Sequence, residues 1–363
     1  MVTAEKKLSS EKRLELISAY AGNRFDLVQA GGGNSSVKLD QTNMLIKASG
    51  ISLSEVSSES GYVSVDYSSI RSNLASEEYS QLDKKQREKS AEQLMKESLC
   101  SSSGKPSIET FLHALLNTYT LHTHPIAINI ITASQDWQVI LNELWPESVC
   151  VPYQTPGIDL ALALVQQLDL YQAKYTQSPS IIFLQNHGLI VSASTHEEVI
   201  ELTETVTIKF EQYLGINLTR YRRTTQLQQL FNELGQSHIK CLCNDDQVIS
   251  CALSKEDQAV TIWPFCPDTL IYCGVHPVFM TSIEDKAALE NYQKRFHDVP
   301  KILVVDHTVY FCAASLKKAK DTQDLFKFHL LVRQHSNDNI QRLTMDEVAY
   351  LSNWDAEKYR QGV

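Results

Sequence analysis

His122 and His124 stand one residue apart in Leu121-His122-Thr123-His124-Pro125. With Thr118 to His124 extended, as its threonines and tyrosine favour, the period of two puts both imidazoles on one face. Neutral imidazole is the commonest protein ligand for zinc and similar ions, and a His-x-His pair on a strand delivers two nitrogens without any loop having to order. A third ligand is needed, and His187 is the candidate. It lies in a polar break, Gln185-Asn186-His187-Gly188, of the apolar run 181–191, where a buried strand has no packing reason for one. Glu109 and His113 are four apart, so they share one face of a helix beginning near Ser107. Taken singly, a histidine is more often a core or surface residue, and a first-turn glutamate is favoured by the helix dipole alone. The pair, the interrupted run and Glu109 together point to a metal centre, with His113 packing or hydrogen-bonding behind it.

The elements that must position these groups read as follows. A helix runs from Ser10 to a stop at Gly22, and the chain then enters Gly31-Gly32-Gly33-Asn34-Ser35-Ser36. Consecutive glycines let backbone amides turn toward one point, so this loop suits an oxyanion such as phosphate. It lacks the Gly-Lys-Ser/Thr ending of a nucleotide loop, and Pro106 spoils the similar run 101–107, so no nucleotide cofactor is expected. Met44 to Lys47 and Tyr62 to Tyr67 read as strands, and 69–98 as a charged, solvated helical stretch. Val151 to Gly157 is a loop in which Tyr153 reads as an anchor. A buried helix covers 158–170. Thr195-x-x-Glu198 caps a helix with the stripe Val199, Leu202, Val206, Phe210 and Tyr213, stopped by Gly215. Strands alternating with helices on this scale imply an α/β sandwich.

The 363 residues fit two domains. Thirty-three basic against forty-three acidic residues leave a formal charge of −10, which disfavours nucleic acid as a partner. No apolar run approaches bilayer length and no signal-peptide core follows the first lysines, so the expected location is cytoplasmic, with no membrane partner. Eight cysteines are scattered without Cys-x-x-Cys pairs and read as reduced and structural.

Four blocks, in order, carry a resemblance: Gly31 to Lys38, then Ile46-Lys47-Ala48-Ser49-Gly50, then Pro106 to His113 with His122 to Pro125, then Asn186-His187-Gly188-Leu189. Over about residues 10 to 215 the chain resembles the class II aldolase/adducin family. The resemblance implies a class II aldolase-like three-layer α/β/α sandwich with a mostly antiparallel central sheet. It further implies a divalent metal, zinc in the first instance, on His122, His124, His187 and Glu109, with Glu109 doubling as catalytic base. Substrate phosphate would be held by Asn34 with Ser35 or Ser36, by Ser49 and Gly50, and by Ser107. The implied reaction is reversible aldol cleavage of a ketose 1-phosphate to dihydroxyacetone phosphate and an aldehyde through a metal-stabilised enediolate. The implied assembly is a homo-oligomer, with a tetramer favoured.

The tyrosine acid that fuculose-phosphate aldolases supply from a neighbouring subunit has no match between Pro125 and Val151, where Trp137 and Trp145 are the only aromatic residues. Related enzymes use the same metal site for pentulose-phosphate 4-epimerisation, dehydration or oxo-acid phosphate decarboxylation. Adducin-like members are non-catalytic assembly modules without the ligands.

The catalytic domain is therefore expected over 1–215 and a smaller C-terminal α/β domain of unknown role over 216–363. Its segments read as a helix over 224–235, a hairpin over 238–253 turning at Asn244-Asp245-Asp246, a loop and strand at 267–272, helices over 282–297 and 316–334, two strands between them, and a last helix from the capping box Thr344-x-x-Glu347. This half is more loosely similar to the region after the aldolase domain in bifunctional rhamnulose-phosphate aldolase/dehydrogenase proteins, down to the ending Trp354-x-x-Glu357-Lys358, but no Gly-x-Gly-x-x-Gly follows a strand and the dehydrogenase is absent. Pro300 to Ser315, with Asp306-His307, echoes Pro179 to Thr195, with Asn186-His187, at an offset of 120 to 121 residues. Convergent composition and duplication both account for such a match. A duplicate would have lost the glycine and the His-x-His pair, and no metal is expected in it.

Overall fold

The computed structural model describes residues 8–76, 78–102, 104–253, 263–336 and 340–352. The chain divides into two compact units, Met1–Leu218 and Thr219–Val363.

In the first unit the elements are α1 (Ser10–Gly22), β1 (Asn34–Lys38), β2 (Asn43–Lys47), β3 (Tyr62–Asp66), α2 (Tyr67–Leu74), α3 (Glu78–Gln81), α4 (Lys84–Glu97), α5 (Thr110–Ala114), β4 (Tyr119–Thr123), α6 (Ile126–Thr132), α7 (Trp137–Leu144), β5 (Val149–Val151), α8 (Ile158–Gln172), β6 (Ile181–Leu184), β7 (Gly188–Ala193) and α9 (His196–Leu214). The strands form one seven-stranded sheet in the order β3-β2-β1-β4-β7-β6-β5. Every neighbouring pair is antiparallel except β5 with β6.

Strand alternation builds the layers. Val37, Leu45, Leu121, Phe183 and Val191 share one core with α1, α6, α7 and α9. Met44, Ile46, Val65, Ile182 and Ile190 share another with α2, α4, α5 and α8. The fold is a three-layer sandwich around a mostly antiparallel sheet. Each fully buried aliphatic side chain contributes about 1.5–3 kcal/mol, so a one-residue slip of any central strand would move its whole apolar set into the wrong layer.

Local rules account for the helix ends. Thr195 Oγ1 accepts the Glu198 amide, and Gly215 closes α9 in the left-handed region at φ 64°. Ser9, rather than Ser10, caps α1. The polar break in the run 181–191 has a structural cause that differs from the sequence reading: it is the turn of the β6–β7 hairpin, with Asn186 left-handed at φ 53°. The loop between α1 and β1 is pinned by Arg24, fully buried, which donates through Nε to Asp26 at 3.0 Å and pairs with Asp26 and Glu204.

The second unit holds α10 (Thr219–Glu233), β8 (Lys240–Cys243), α11 (Gln247–Leu253), α12 (Pro267–Cys273), β9 (Val278–Met280), α13 (Lys286–Phe296), β10 (Ile302–Val305), β11 (Thr308–Ala313), α14 (Leu316–His335) and α15 (Met345–Ser352). Its sheet order is β8-β11-β10-β9. Two expectations are corrected. Residues 238–253 are a strand followed by a helix, because Asp246 Oδ1 accepts the amides of Val248 and Ile249 and so starts α11 where a hairpin would turn. Residues 267–273 are helical, because Pro267 stands in the first turn, where its missing N–H costs nothing. The ending Trp354 to Lys358 lies outside the described residues.

None of the eight cysteines is in a disulfide bond. Among the described residues no helix is long and apolar enough to cross a membrane.

Candidate metal centre

β4 places His122 near its end, fully buried, and its Nδ1 lies 3.0 Å from the Leu189 carbonyl. A carbonyl only accepts, so Nδ1 carries the proton and the Nε2 lone pair is left for the site. Such an outer hydrogen bond is what orients a metal-binding histidine. His124 follows the strand, its amide donating to the Leu27 carbonyl at 2.8 Å. His187 closes the β6–β7 turn, with its amide on the Leu184 carbonyl. Glu109 occupies the N-cap of α5 rather than its first turn, its amide donating to Ser107 Oγ at 3.3 Å.

These four side chains meet. The Nε2 atoms of His124 and His122 lie 3.1 Å apart, and those of His122 and His187 3.3 Å apart. Glu109 Oε1 lies 3.3 Å from the Nε2 of both His122 and His187. All four ligand atoms fall within 4.8 Å of one another, a group able to hold a metal ion. Four-coordinate zinc with ligand bonds of about 2.0–2.1 Å has donor–donor edges of roughly 3.3 Å, close to the spacings of His122 from His124, His187 and Glu109 and of Glu109 from His187.

The electrostatics express the same crowding. Burial raises the Glu109 pKa, but the positive charges of His122 and His187 overcome it and hold the carboxyl well below its usual range. Burial lowers the His122 pKa, yet the Glu109 carboxylate and the Leu189 carbonyl bring it above the ordinary value. His124 is driven down to about 3 by burial and then by the charges of His122 and His187. Three imidazoles this close cannot all be protonated, and a shared cation held by them would resolve the conflict.

Two glycines make room for the third ring. A Cβ on Gly32 would stand 2.8 Å from His124 Nδ1, and one on Gly188 would stand 2.3 Å from the Thr123 carbonyl oxygen. Neither position accepts a side chain without moving His124 or its strand.

The expected phosphate residues divide. Asn34 is buried directly opposite His122 in the β1–β4 register, and its Nδ2 has no hydrogen-bond partner. Ser35 and Ser36 are equally buried but engaged elsewhere: Ser35 Oγ lies 2.7 Å from Ser18 Oγ, and Ser36 Oγ lies 2.7 Å from His113 Nδ1. Adjacent residues on a strand point to opposite faces, which is why Ser35 meets α1 while Asn34 and Ser36 lie on the side of His122. A bridge between Ala48 and Pro106, with the Ser49 amide on the Lys105 carbonyl at 2.8 Å, brings the Ser49-Gly50 turn beside Ser107. Ser49 and Ser107 line a cavity of about 820 Å³.

Lys47 escaped the sequence reading as a functional group. Its side chain is buried, and its ammonium donates to the Ile51 carbonyl at 2.7 Å. Burial lowers its pKa, and the Glu109 and Glu55 charges pull it back up. A lysine ending the apolar strand Met44-Leu45-Ile46 was the available signal. Tyr153 is half exposed and its amide donates to Gln185 Oε1 at 3.0 Å, so its loop is anchored to the turn that carries His187.

A profile of the class II aldolase and adducin N-terminal domain matches residues 15–214. The chain belongs to the class II aldolase and adducin family. The uncharacterized oxidoreductase YuxG of Bacillus subtilis (strain 168) is 25% identical over 201 residues, covering 53% of this chain and 27% of that protein, so the match spans about a quarter of the relative's length. The N-terminal class II aldolase domain of a conserved protein from Thermoplasma acidophilum is 26% identical, with a TM-score of 0.48 over 59% of this chain and 98% of that one. L-fuculose-1-phosphate aldolase from Thermus thermophilus is 16% identical, with a TM-score of 0.36 over 56% of this chain and 94% of that one.

Proposed function

We propose that the first unit is a metal-dependent lyase that reversibly cleaves a ketose 1-phosphate to dihydroxyacetone phosphate and an aldehyde. The observation that carries the reading is the convergence of three histidines and one carboxylate, with ligand atoms all within 4.8 Å of one another, in a family that includes aldolases. His122, His124, His187 and Glu109 would hold the divalent ion, zinc by the preference of histidine-rich sites. When bound, the ion supplies Lewis-acid polarisation of the substrate carbonyl.

The remaining work falls to the chain's own groups. Asn34 with Ser35 or Ser36 beside it, Ser49, Gly50 and Ser107 would bind the phosphate and so orient the reacting carbons, the Ser35 and Ser36 hydroxyls also contacting Ser18 and His113. Glu109 would take the proton from the nucleophilic carbon. Beside His122 and His187 its carboxylate is a weak base, so turning away from them on substrate entry would restore its basicity. The group that would protonate the alkoxide formed on addition, and take that hydroxyl proton back on cleavage, has no candidate in the cluster of Glu109, His122, His124 and His187, which favours a homo-oligomer, a tetramer in the first instance, that completes the site.

The test is a screen of ketose 1-phosphates, pentulose 5-phosphates and oxo-acid phosphates, with proton exchange followed in deuterated water. Exchange into dihydroxyacetone phosphate alone, with cleavage of a ketose 1-phosphate, is the expected result. Turnover confined to a pentulose phosphate or an oxo-acid, without that exchange, would move the assignment to an epimerase or decarboxylase on the same site.

A further inference from the structure

The second unit repeats the wiring of half of the first. From β4 the first unit runs β4, α6, α7, β5, α8, β6, β7, α9, with the strands side by side as β4-β7-β6-β5. The second runs β8, α11, α12, β9, α13, β10, β11, α14, with the strands as β8-β11-β10-β9. Pair directions agree throughout, β5–β6 and β9–β10 being parallel and the others antiparallel. Registers agree as well. Leu121 faces Val191, which faces Ile181, and Leu242 faces Phe311, which faces Ile302. Both hairpin turns hold left-handed residues, Asn186 in one and Asp306 and His307 in the other. Thr195 and Ser315 cap the helix that follows, each accepting the amide three residues on. Convergent composition explains one strand-turn-strand match, but not the same order, direction and register over eight elements.

We infer that residues 240–335 are a degenerate second copy of 119–214, and that it retains the place of the metal centre with arginine–carboxylate pairs where the cation would stand. The register fixes the correspondence. His122 faces Ile190 and Cys243 faces Tyr310, so Cys243 holds the place of His122. Asp245, two residues on, holds that of His124, and His307 in the turn holds that of His187. Just as α5 precedes β4, α10 precedes β8, and it brings the cations. Arg220 Nη2 lies 3.1 Å from Asp245 Oδ1, which also accepts the Tyr221 hydroxyl at 2.8 Å. Arg223 pairs with Asp306 at 2.8 Å, and the Tyr310 hydroxyl donates to the Arg220 carbonyl at 2.9 Å. Among the described residues the one group able to hold a metal ion is in the first unit. The second sheet has four strands and, among the described residues, nothing equivalent to β1, which carries Asn34. The copy is a non-catalytic unit.

This inference uses the proposed ligands of the first unit only as positions. Its test rebuilds the lost site. Asp245→His, at a side chain 45% exposed, puts an imidazole at the position that corresponds to His124, and adding Arg220→Ala removes the competing cation. Cobalt(II) titration of the full chain should then give one equivalent more than the native protein, with a thiolate-to-cobalt absorption band that the native protein lacks and that Cys243→Ser abolishes. A folded variant, with native circular dichroism, that binds no extra cobalt and shows no band would overturn the correspondence. If the double variant does not fold, Asp245→His alone, at its exposed position, is read by the same band. A native chain that binds no cobalt at all would sink the first unit's metal site while the band still reports on the second.

Discussion

Asn34 and His122 are direct cross-strand partners, so a single β1–β4 register sets an unpartnered amide beside a candidate metal-binding imidazole. Phosphate contact and metal ligand would thereby be held at one fixed separation by sheet hydrogen bonds rather than by a loop. Asn34→Ala should raise KM for a phosphorylated substrate by about tenfold or more, the worth of one hydrogen bond to a charged group, with a smaller effect on kcat. An unchanged KM in steady-state kinetics would remove Asn34 from the phosphate site.

Protein purified without chelator should carry one tightly bound divalent ion per chain, read by elemental analysis. The His122→Ala/His124→Ala variant should lose it, because it removes two of the three nitrogens that meet at 3.1 to 3.3 Å. Full metal content in that variant would refute the site.

Glu109→Gln keeps the shape and removes the base. Proton exchange into dihydroxyacetone phosphate should fall by about two to four orders of magnitude, the usual contribution of a positioned general base. Exchange at the native rate would assign the base elsewhere.

Gly32→Ala should retain the fold and lose metal affinity, since the new methyl would press on the His124 ring at 2.8 Å from Nδ1. A shift of at least about tenfold in a competitive chelator titration is the expected size, in the range seen when a ligand's supporting contacts are lost.

His113 gives the first unit a pH signature. Its ring is fully buried, and burial drives its pKa from 6.5 to about 3, with Glu109 opposing and the charges of His122, Lys38 and Lys47 assisting. The unfolded chain therefore takes up a proton near 6.5 that the folded chain refuses until about 3. Its contribution to stability is complete above the unfolded value and is lost as pH falls toward the folded one, at up to about 1.4 kcal/mol per pH unit. His124 at about 3 acts with the same sign, so His113→Gln should make the acid slope shallower without abolishing it. Urea midpoints across the acid range measure this, and an unaltered slope would count against it.

The candidate metal residues were legible because their spacing is a local property: His122 lies near the end of β4 with His124 just beyond it, and the Asn-His-Gly break stands in an otherwise apolar run. The hydroxyl contacts of Ser35 and Ser36 were not, because Ser18 and His113 are brought to them only by the packing of α1 and α5 on opposite faces of the sheet. Arg24 likewise reads as a surface residue until Glu204, 180 positions away, folds against it. In the second unit Asn244-Asp245-Asp246 read as the turn of a hairpin, but the carboxylate's choice of helix amides over a second strand goes with α14, whose Lys327 and Gln323 bond Asp246 and Asn244.

The position of β4 in the sheet also dictates a timetable. Its neighbours are β1, some eighty residues earlier, and β7, some seventy later, and His187 arrives only with the hairpin that delivers β7. A chain emerging from the ribosome N-terminus first has Asn34, Glu109 and both strand histidines exposed well before the third imidazole exists to complete the set. Stable ion capture must therefore wait until β7 has docked, so loading is a late event in the biogenesis of this unit, and a chain truncated before residue 187 should emerge with its other ligands but no ion.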